Sequence, residues 1–300
     1  MQPFFEFSAD VKQAMENEEP ILALESTIIS HGMPYPQNLE TALAVEQIAR
    51  DHGATPATIA IMNGKIKIGL SRHELEQFAQ DKHVVKASRR DLPIVLSEKL
   101  SAGTTVAATL FCAARAGIKI FATGGIGGVH RGDDQDISAD LIELARTPVA
   151  VICAGAKAIL DLPRTLEFLE TMSVPVIGYR TRVLPAFYTD TTSYSLPATA
   201  QDVTNLATML KTHWQLGMSS GILITNPIPA EFAIPSEVIE PVIAKALQKA
   251  LQQNITGKAI TPFLLSEVAY LTQGKSLEAN IALIKNNVRL GAELACSISD

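Results

Sequence analysis

The chain has 300 residues, 47% of them hydrophobic, and a formal net charge of −6 at pH 7. That is enough apolar material for a large core, and the dispersed lysines and arginines form no stripe of the kind that holds nucleic acid or an anionic membrane. Three scattered cysteines, Cys112, Cys153 and Cys296, argue against a disulfide framework; no signal peptide or membrane-spanning run is visible, so a soluble, cytoplasmic protein is expected.

In chain order, Pro20 to Ile29 reads as a strand with polar residues at its end. A helix follows from about Pro36 to His52, with Gly53 where a left-handed C-terminal cap belongs. Alternating isoleucines on either side of Asn63-Gly64 predict a β-hairpin closed by a type I′ turn. Ser71 and Glu74 form a capping-box pair for a helix through about Gln80. From Val84 onward strands and helices alternate. Strands are expected at Val84–Ala87, Ile118–Thr123, Val149–Ala154, Val174–Tyr179 and Gly221–Thr225. Helices are expected at Thr104–Ala116, Ser138–Arg146 and Ala158–Met172. Pro185 to Ala200, rich in Thr and Ser, is the expected mobile loop, and the last third is helical, with Ser236–Gln253 and a long segment after Thr261. Such alternation predicts a three-layer α/β/α sandwich with a mostly parallel central sheet, here in a single domain over residues 1–300 with an added hairpin.

Ligands of open parallel α/β sheets bind beyond the carboxyl ends of the strands. Polar residues gather at those predicted ends: Glu25-Ser26-Thr27 with His31, Lys86 with Ser88-Arg89-Arg90-Asp91, the loop Gly124–Gly132, and Ala154–Lys157. The glycine loop lacks the spacing of a dinucleotide fingerprint, because His130 stands where the third glycine belongs, and no P-loop lysine follows. It is either an anion-approaching backbone or a plain strand-to-helix turn. Lys86, Arg89, Arg90, His130 and Arg131 are candidates to meet a phosphate, or else partners for Asp91 and Asp133. Asp133, Asp134, Asp136 and Asp140 form an acidic group suited to Mg²⁺ or Mn²⁺; Asp136 and Ser138 also sit where a helix cap is expected.

Glu25 follows a run of apolar residues, where partial burial raises a carboxyl pKa and suits it to acid–base work. Lys157, ringed by Ala and Gly, is placed where lost solvation favours the neutral amine that attacks a carbonyl or masked aldehyde. Together these features suggest a sugar phosphate processed through an imine. A non-catalytic sugar-phosphate-binding regulator, or an imine-forming aldolase acting on another sugar phosphate, remains open at this point.

The blocks "ALESTIISHGMPYPQN", "SRRDLP", "TTVAAT", "IFATGGIGGVHRG", "DISADL", "CAGAKAILDLPRTLE", "NPIP" and "TPFLL" resemble, in order and over nearly the whole chain, the pseudouridine-5′-phosphate glycosidase family. The resemblance implies reversible cleavage of the C–C bond between uracil C5 and ribose C1′ of pseudouridine 5′-phosphate, giving uracil and ribose 5-phosphate. It implies that Lys157 is the imine-forming nucleophile and that Glu25 shuttles protons. One Mn²⁺ per subunit at Asp136 follows by the same resemblance. So do substrate contacts from Lys86, Val106, Ser138, Ala139 and Asp140, with His130 and Asn280 close by, and assembly as a homotrimer. The chain departs from the family pattern in a short stretch, Asp133 to Gln135, between the HRG and DISADL blocks, and in Asp190 where an arginine is common.

Overall fold

A computed structural model describes residues 3–132 and 136–299. An 11-stranded sheet runs through it. Its principal path is Phe5–Phe7, Lys65–Ile68, Thr55–Met62, Ile21–Leu24, Ile120–Ala122, Ala150–Cys153, Ile222–Thr225, Val176–Tyr179 and Ala198–Ala200. The stretch from Thr55–Met62 to Ala198–Ala200 is parallel throughout. Antiparallel pairing enters where Thr55–Met62 meets Lys65–Ile68 and Ala102–Thr104. Apart from Ile21 at its strand's start, every residue of the four central strands is buried, as a sheet covered on both faces requires.

The long helix Lys275–Ser299 lies across the strands Ile21–Leu24, Ile120–Ala122 and Ala150–Cys153, between the helices Gln37–Asp51 and Val203–Gln215. Gly291 permits this close approach: a Cβ there would stand 2.9 Å from Leu22 Cδ1 and 3.2 Å from the Ala122 Cβ. Helix Val106–Arg115 packs on Ile21–Leu24 and Thr55–Met62 and against helix Ala139–Leu144. The result is the expected α/β/α sandwich with a mostly parallel sheet.

Local signals hold where the chemistry is local. Asn63 and Gly64 both have positive φ, +50° and +75°, as a type I′ turn demands. Ser71 and Glu74 make both bonds of the capping box. Other expectations are corrected. The first strand ends at Leu24, not Ile29; the chain then turns into a single π-helical turn, Ile28–Gly32, with the Ser30 hydroxyl donating to the Ser26 carbonyl. The helix expected from Ala158 starts at Leu162, because Leu160–Asp161 pairs with Val129–His130 and the Asp161 side chain caps the helix at the Arg164 amide. The region after Thr261 is two helices, Ile260–Leu271 and Lys275–Ser299, separated where Gln273 and Gly274 take positive φ. In the segment expected to be a mobile loop, Phe187 and Tyr188 are fully buried.

Candidate functional site

Because the central strands are parallel, their carboxyl ends share one edge, and Glu25 and Thr123 stand there side by side, one residue beyond the paired Leu24 and Ala122. Beyond the strands the pairing continues through loops. Ile126 donates to the Gly155 carbonyl and Lys157 to the Ile126 carbonyl, which knits the glycine loop to the segment carrying Lys157. This edge forms one wall of a cavity of about 320 Å³. Glu25, Lys86, Val106, His130, Asp136, Ser138, Ala139, Asp140, Lys157 and Asn280 all line it. The structure thus brings every residue named by the resemblance into one chamber, although they come from both ends of the chain.

Glu25 accepts a hydrogen bond from Thr123 Oγ1. Burial pushes its carboxyl above the usual carboxylate range, against the opposing pull of the nearby Lys157 ammonium and the Thr123 hydroxyl. Lys157 Nζ donates to the Gly125 carbonyl at 2.5 Å. Lys86 is half-buried, and burial, with the charge of Lys157 next, pulls its ammonium below the usual lysine range. Two lysines and an acid are therefore electrically coupled within one cavity. Cys153, at the end of the strand that leads to Lys157, is no competing nucleophile: burial pushes its thiol up to about 12.

Asp140 is buried and holds three segments together. Its Oδ1 accepts from the Ala107 amide at 2.9 Å and its Oδ2 from the Gly127 amide at 2.8 Å. The first of these bonds caps helix Val106–Arg115; the second fixes the glycine loop. Gly127 is glycine for want of room, since a Cβ would sit 2.1 Å from Ser138 Oγ and 2.8 Å from Asp140 Oδ2. Ser138 caps helix Ala139–Leu144, its Oγ accepting from the Asp140 amide at 3.2 Å. Asp136 is not the cap. Its carboxylate lines the cavity, 43% exposed, with His130 Nδ1 at 3.8 Å. Asp133 and Asp134 lie outside the described residues. Among the described residues no group of three His, Cys, Asp or Glu side chains could enclose a metal ion. Among the described residues the Asp136 carboxylate has only this distant contact, which suits a divalent cation that keeps most of its water shell.

Two of the candidate phosphate ligands are engaged elsewhere. Arg89 places Nη1 2.8 Å from both carboxylate oxygens of the fully buried Glu143 and stacks over the Phe111 ring at 4.6 Å. Its partner is Glu143 rather than Asp91. Arg131 bonds the carbonyls of Ala158 and Leu160 and makes a two-point pair with Glu240. Arg90 does line the cavity, with Asp91 at 3.9 Å. Lys258, from the segment before helix Ile260–Leu271, also lines it and pairs with Asp91 at 2.7 Å. Neither Lys258 nor Phe187, another lining residue, carries a local sequence signal; only the packing of distant segments places them here.

The indigoidine synthase A-like family model matches residues 10–297. A pseudouridine-5′-phosphate glycosidase of Caldanaerobacter subterraneus subsp. tengcongensis is 58% identical, over 100% of this chain and 98% of that protein. One of Staphylococcus aureus is 54% identical over the same shares. Among solved structures, the prealnumycin C-glycosynthase AlnA in complex with ribulose 5-phosphate superposes with a TM-score of 0.91 at 36% identity, covering 100% of this chain and 98% of that one. An indigoidine synthase A-like protein of Thermotoga maritima also gives 0.91, at 33% identity over 99% and 97%. No helix of the described residues is long and apolar enough to cross a membrane. A full-length match at this identity, on a cavity lined by these residues, decides the family: the chain belongs to the indigoidine synthase A-like proteins and, within them, to the pseudouridine-5′-phosphate glycosidases.

Proposed function

We propose that the protein cleaves the C1′–C5 bond of pseudouridine 5′-phosphate with water, reversibly, to give uracil and ribose 5-phosphate, and that Lys157 does so as an imine-forming nucleophile. The observation that carries this reading is the pairing of an acid and an amine in one cavity: Glu25 and Lys157 both line it, and the Lys157 charge acts on the Glu25 carboxyl. A C-glycoside offers no leaving oxygen or nitrogen to protonate, so an ordinary pair of glycosidase carboxylates would not suffice. An amine that converts C1′ into an imine changes the problem, because the nitrogen lone pair can then expel a carbon.

In this reading the neutral amine of Lys157 adds to C1′ as the C1′–O4′ bond breaks. Glu25, whose carboxyl burial shifts toward the acid form, gives its proton to O4′ and recovers one from the new C–N nitrogen. The nitrogen lone pair then forms the C=N bond as C1′–C5 breaks, and Glu25 protonates C5 of the departing uracil. Water adds to the imine carbon, giving one proton to Glu25, and the C–N bond then breaks as the other hydroxyl proton passes to nitrogen, releasing ribose 5-phosphate and free Lys157. A well-placed acid–base group of this kind contributes about 10²–10⁴-fold.

Lys86 and Lys258 are proposed to face the phosphate, because both line the cavity and Lys86 has Lys258 within range of its charge. Val106, at the start of its helix, Ser138 and Ala139 complete that wall. Asp136 would hold Mn²⁺ largely with water, and the ion, when bound, would supply positive charge to the site. A homotrimer, which rests on the resemblance, and a cytoplasmic setting, which rests on the sequence composition, are part of the same proposal. The deciding experiment incubates the protein with pseudouridine 5′-phosphate and Mn²⁺ and follows free uracil. Release of uracil with ribose 5-phosphate supports the reading, whereas binding without release would favour a sugar-phosphate sensor.

A further inference from the structure

Beyond Glu25 the chain makes a π-helical turn, Ile28–Gly32, the one such turn among the described residues. Such turns are rare and recur at functional sites. This one sets Thr27, Ile28, His31 and Gly32 into the cavity wall. The imidazole orientation follows from a short chain of hydrogen bonds. Ser30 Oγ donates to the Ser26 carbonyl at 3.2 Å, and the same oxygen lies 2.7 Å from His31 Nδ1. A serine hydroxyl has a single proton. Assigning that proton to the Ser26 carbonyl makes the oxygen an acceptor from His31, an assignment that places the hydrogen on Nδ1 and a lone pair on Nε2.

Burial, and after it the Lys86 ammonium, also pull the ring's pKa below the usual histidine value, which favours the neutral form. The surroundings are shaped for this arrangement. A Cβ at Gly103 would stand 2.2 Å from Ser30 Oγ, so only glycine on that strand leaves the hydroxyl in place. On the same wall Thr27 Oγ1 is buried with no hydrogen-bond partner among the described residues.

A lone pair at Nε2 has no use for a phosphoryl oxygen, which is itself an acceptor. It calls for an O–H or N–H donor on the ligand. The charged group that His31 feels is Lys86, on the side of the cavity where the phosphate is expected. The donor nearest a sugar's 5-phosphate is the ribose, not the base. We infer that His31 Nε2 accepts a hydrogen bond from a ribose hydroxyl of the sugar phosphate, holding the sugar between Lys86 and Lys157. The inference rests on the sugar-phosphate reading of the cavity.

The test uses two near-isosteric variants of the full chain. His31→Asn keeps an amide near Nδ1 but stops short of Nε2, and His31→Gln offers an acceptor near Nε2. Uracil release is measured with pseudouridine 5′-phosphate and with its 2′-deoxy and 3′-deoxy analogues, and ribose 5-phosphate binding by calorimetry. His31→Asn is expected to lose about tenfold in kcat/KM on the parent compound and in affinity for ribose 5-phosphate, with His31→Gln recovering most of both. On the analogue lacking the partner hydroxyl, wild type and His31→Asn should agree within about twofold. Equal behaviour of wild type and His31→Asn on the parent, or the same loss on both deoxy analogues, overturns the inference and leaves the reaction standing. If wild type releases no uracil, the reaction reading falls, and the ribose 5-phosphate titration still decides His31: unchanged or absent binding refutes it.

Discussion

Thr123 Oγ1 donates a hydrogen bond to Glu25 Oε1 across two neighbouring parallel strands, joining residues 98 positions apart in the chain. The bond favours the ionised carboxylate, while burial favours the acid, and burial is the larger effect. Replacing Thr123 by Val keeps the volume and removes the hydroxyl. Losing a hydrogen bond of about 1 kcal/mol corresponds to roughly 0.7 pH unit. The alkaline limb of the kcat/KM profile should therefore move to higher pH by about that amount, which a pH series on both proteins would reveal. A shift to lower pH would contradict the placement of this bond.

Glu25 should also mark the stability of the fold. Its folded-state pKa lies above the unfolded value of 4.5. A raised carboxyl pKa stabilises the native state below the unfolded pKa, and that contribution is lost as pH rises through the folded one. Glu25→Gln does not titrate, so its melting temperature relative to wild type should climb between about pH 4.5 and neutrality. Thermal melts at several pH values would show a constant difference if the carboxyl were not buried.

The Arg89–Glu143 pair should be structural. Glu143 is completely buried and also bonds Arg146 and Thr147. Arg89→Ala leaves that carboxylate with two partners instead of three. Removing one partner of a buried pair costs about 3–5 kcal/mol; with Arg146 and Thr147 retained, a loss of about 2–3 kcal/mol is expected. Urea unfolding at pH 7 measures it, and a loss below about 0.5 kcal/mol would mean that the pair behaves as an exposed one.

Much of this site can be read before any coordinates. Glu25 and Lys157 follow apolar runs that end in small or polar residues, and parallel topology sends all such ends to one edge. Asn63-Gly64 and the Ser71/Glu74 pair are equally legible, because their physics is settled within four residues. What escapes is settled by distant partners. Arg131 and Arg89 look like phosphate ligands until Glu240 and Glu143, 109 and 54 residues away, claim them. The apolar run through Ile28 and Ile29 reads as strand, yet the chain turns there into the π-helical turn, with Ser30 Oγ packed where a Cβ on the distant Gly103 would collide with it. Ala158–Asp161 has helical composition, but pairing with Val129–His130 delays the helix to Leu162.

Gly127 offers a check on the glycine loop. Gly127→Ala would drive a methyl group into Ser138 Oγ and Asp140 Oδ2, separating the loop from the cap of helix Val106–Arg115. Turnover should fall at least about tenfold while the melting temperature drops by only a few degrees. Wild-type turnover would mean that the loop tolerates displacement.

The central claim is that Lys157 is the amine nucleophile, and borohydride trapping tests it most directly. Reduction during turnover of pseudouridine 5′-phosphate should fix ribose phosphate to the peptide carrying Lys157. Lys157→Arg, whose guanidinium stays charged, should show neither label nor uracil release. Label on Lys86 or Lys258, or a wild-type rate in Lys157→Arg, would contradict the account.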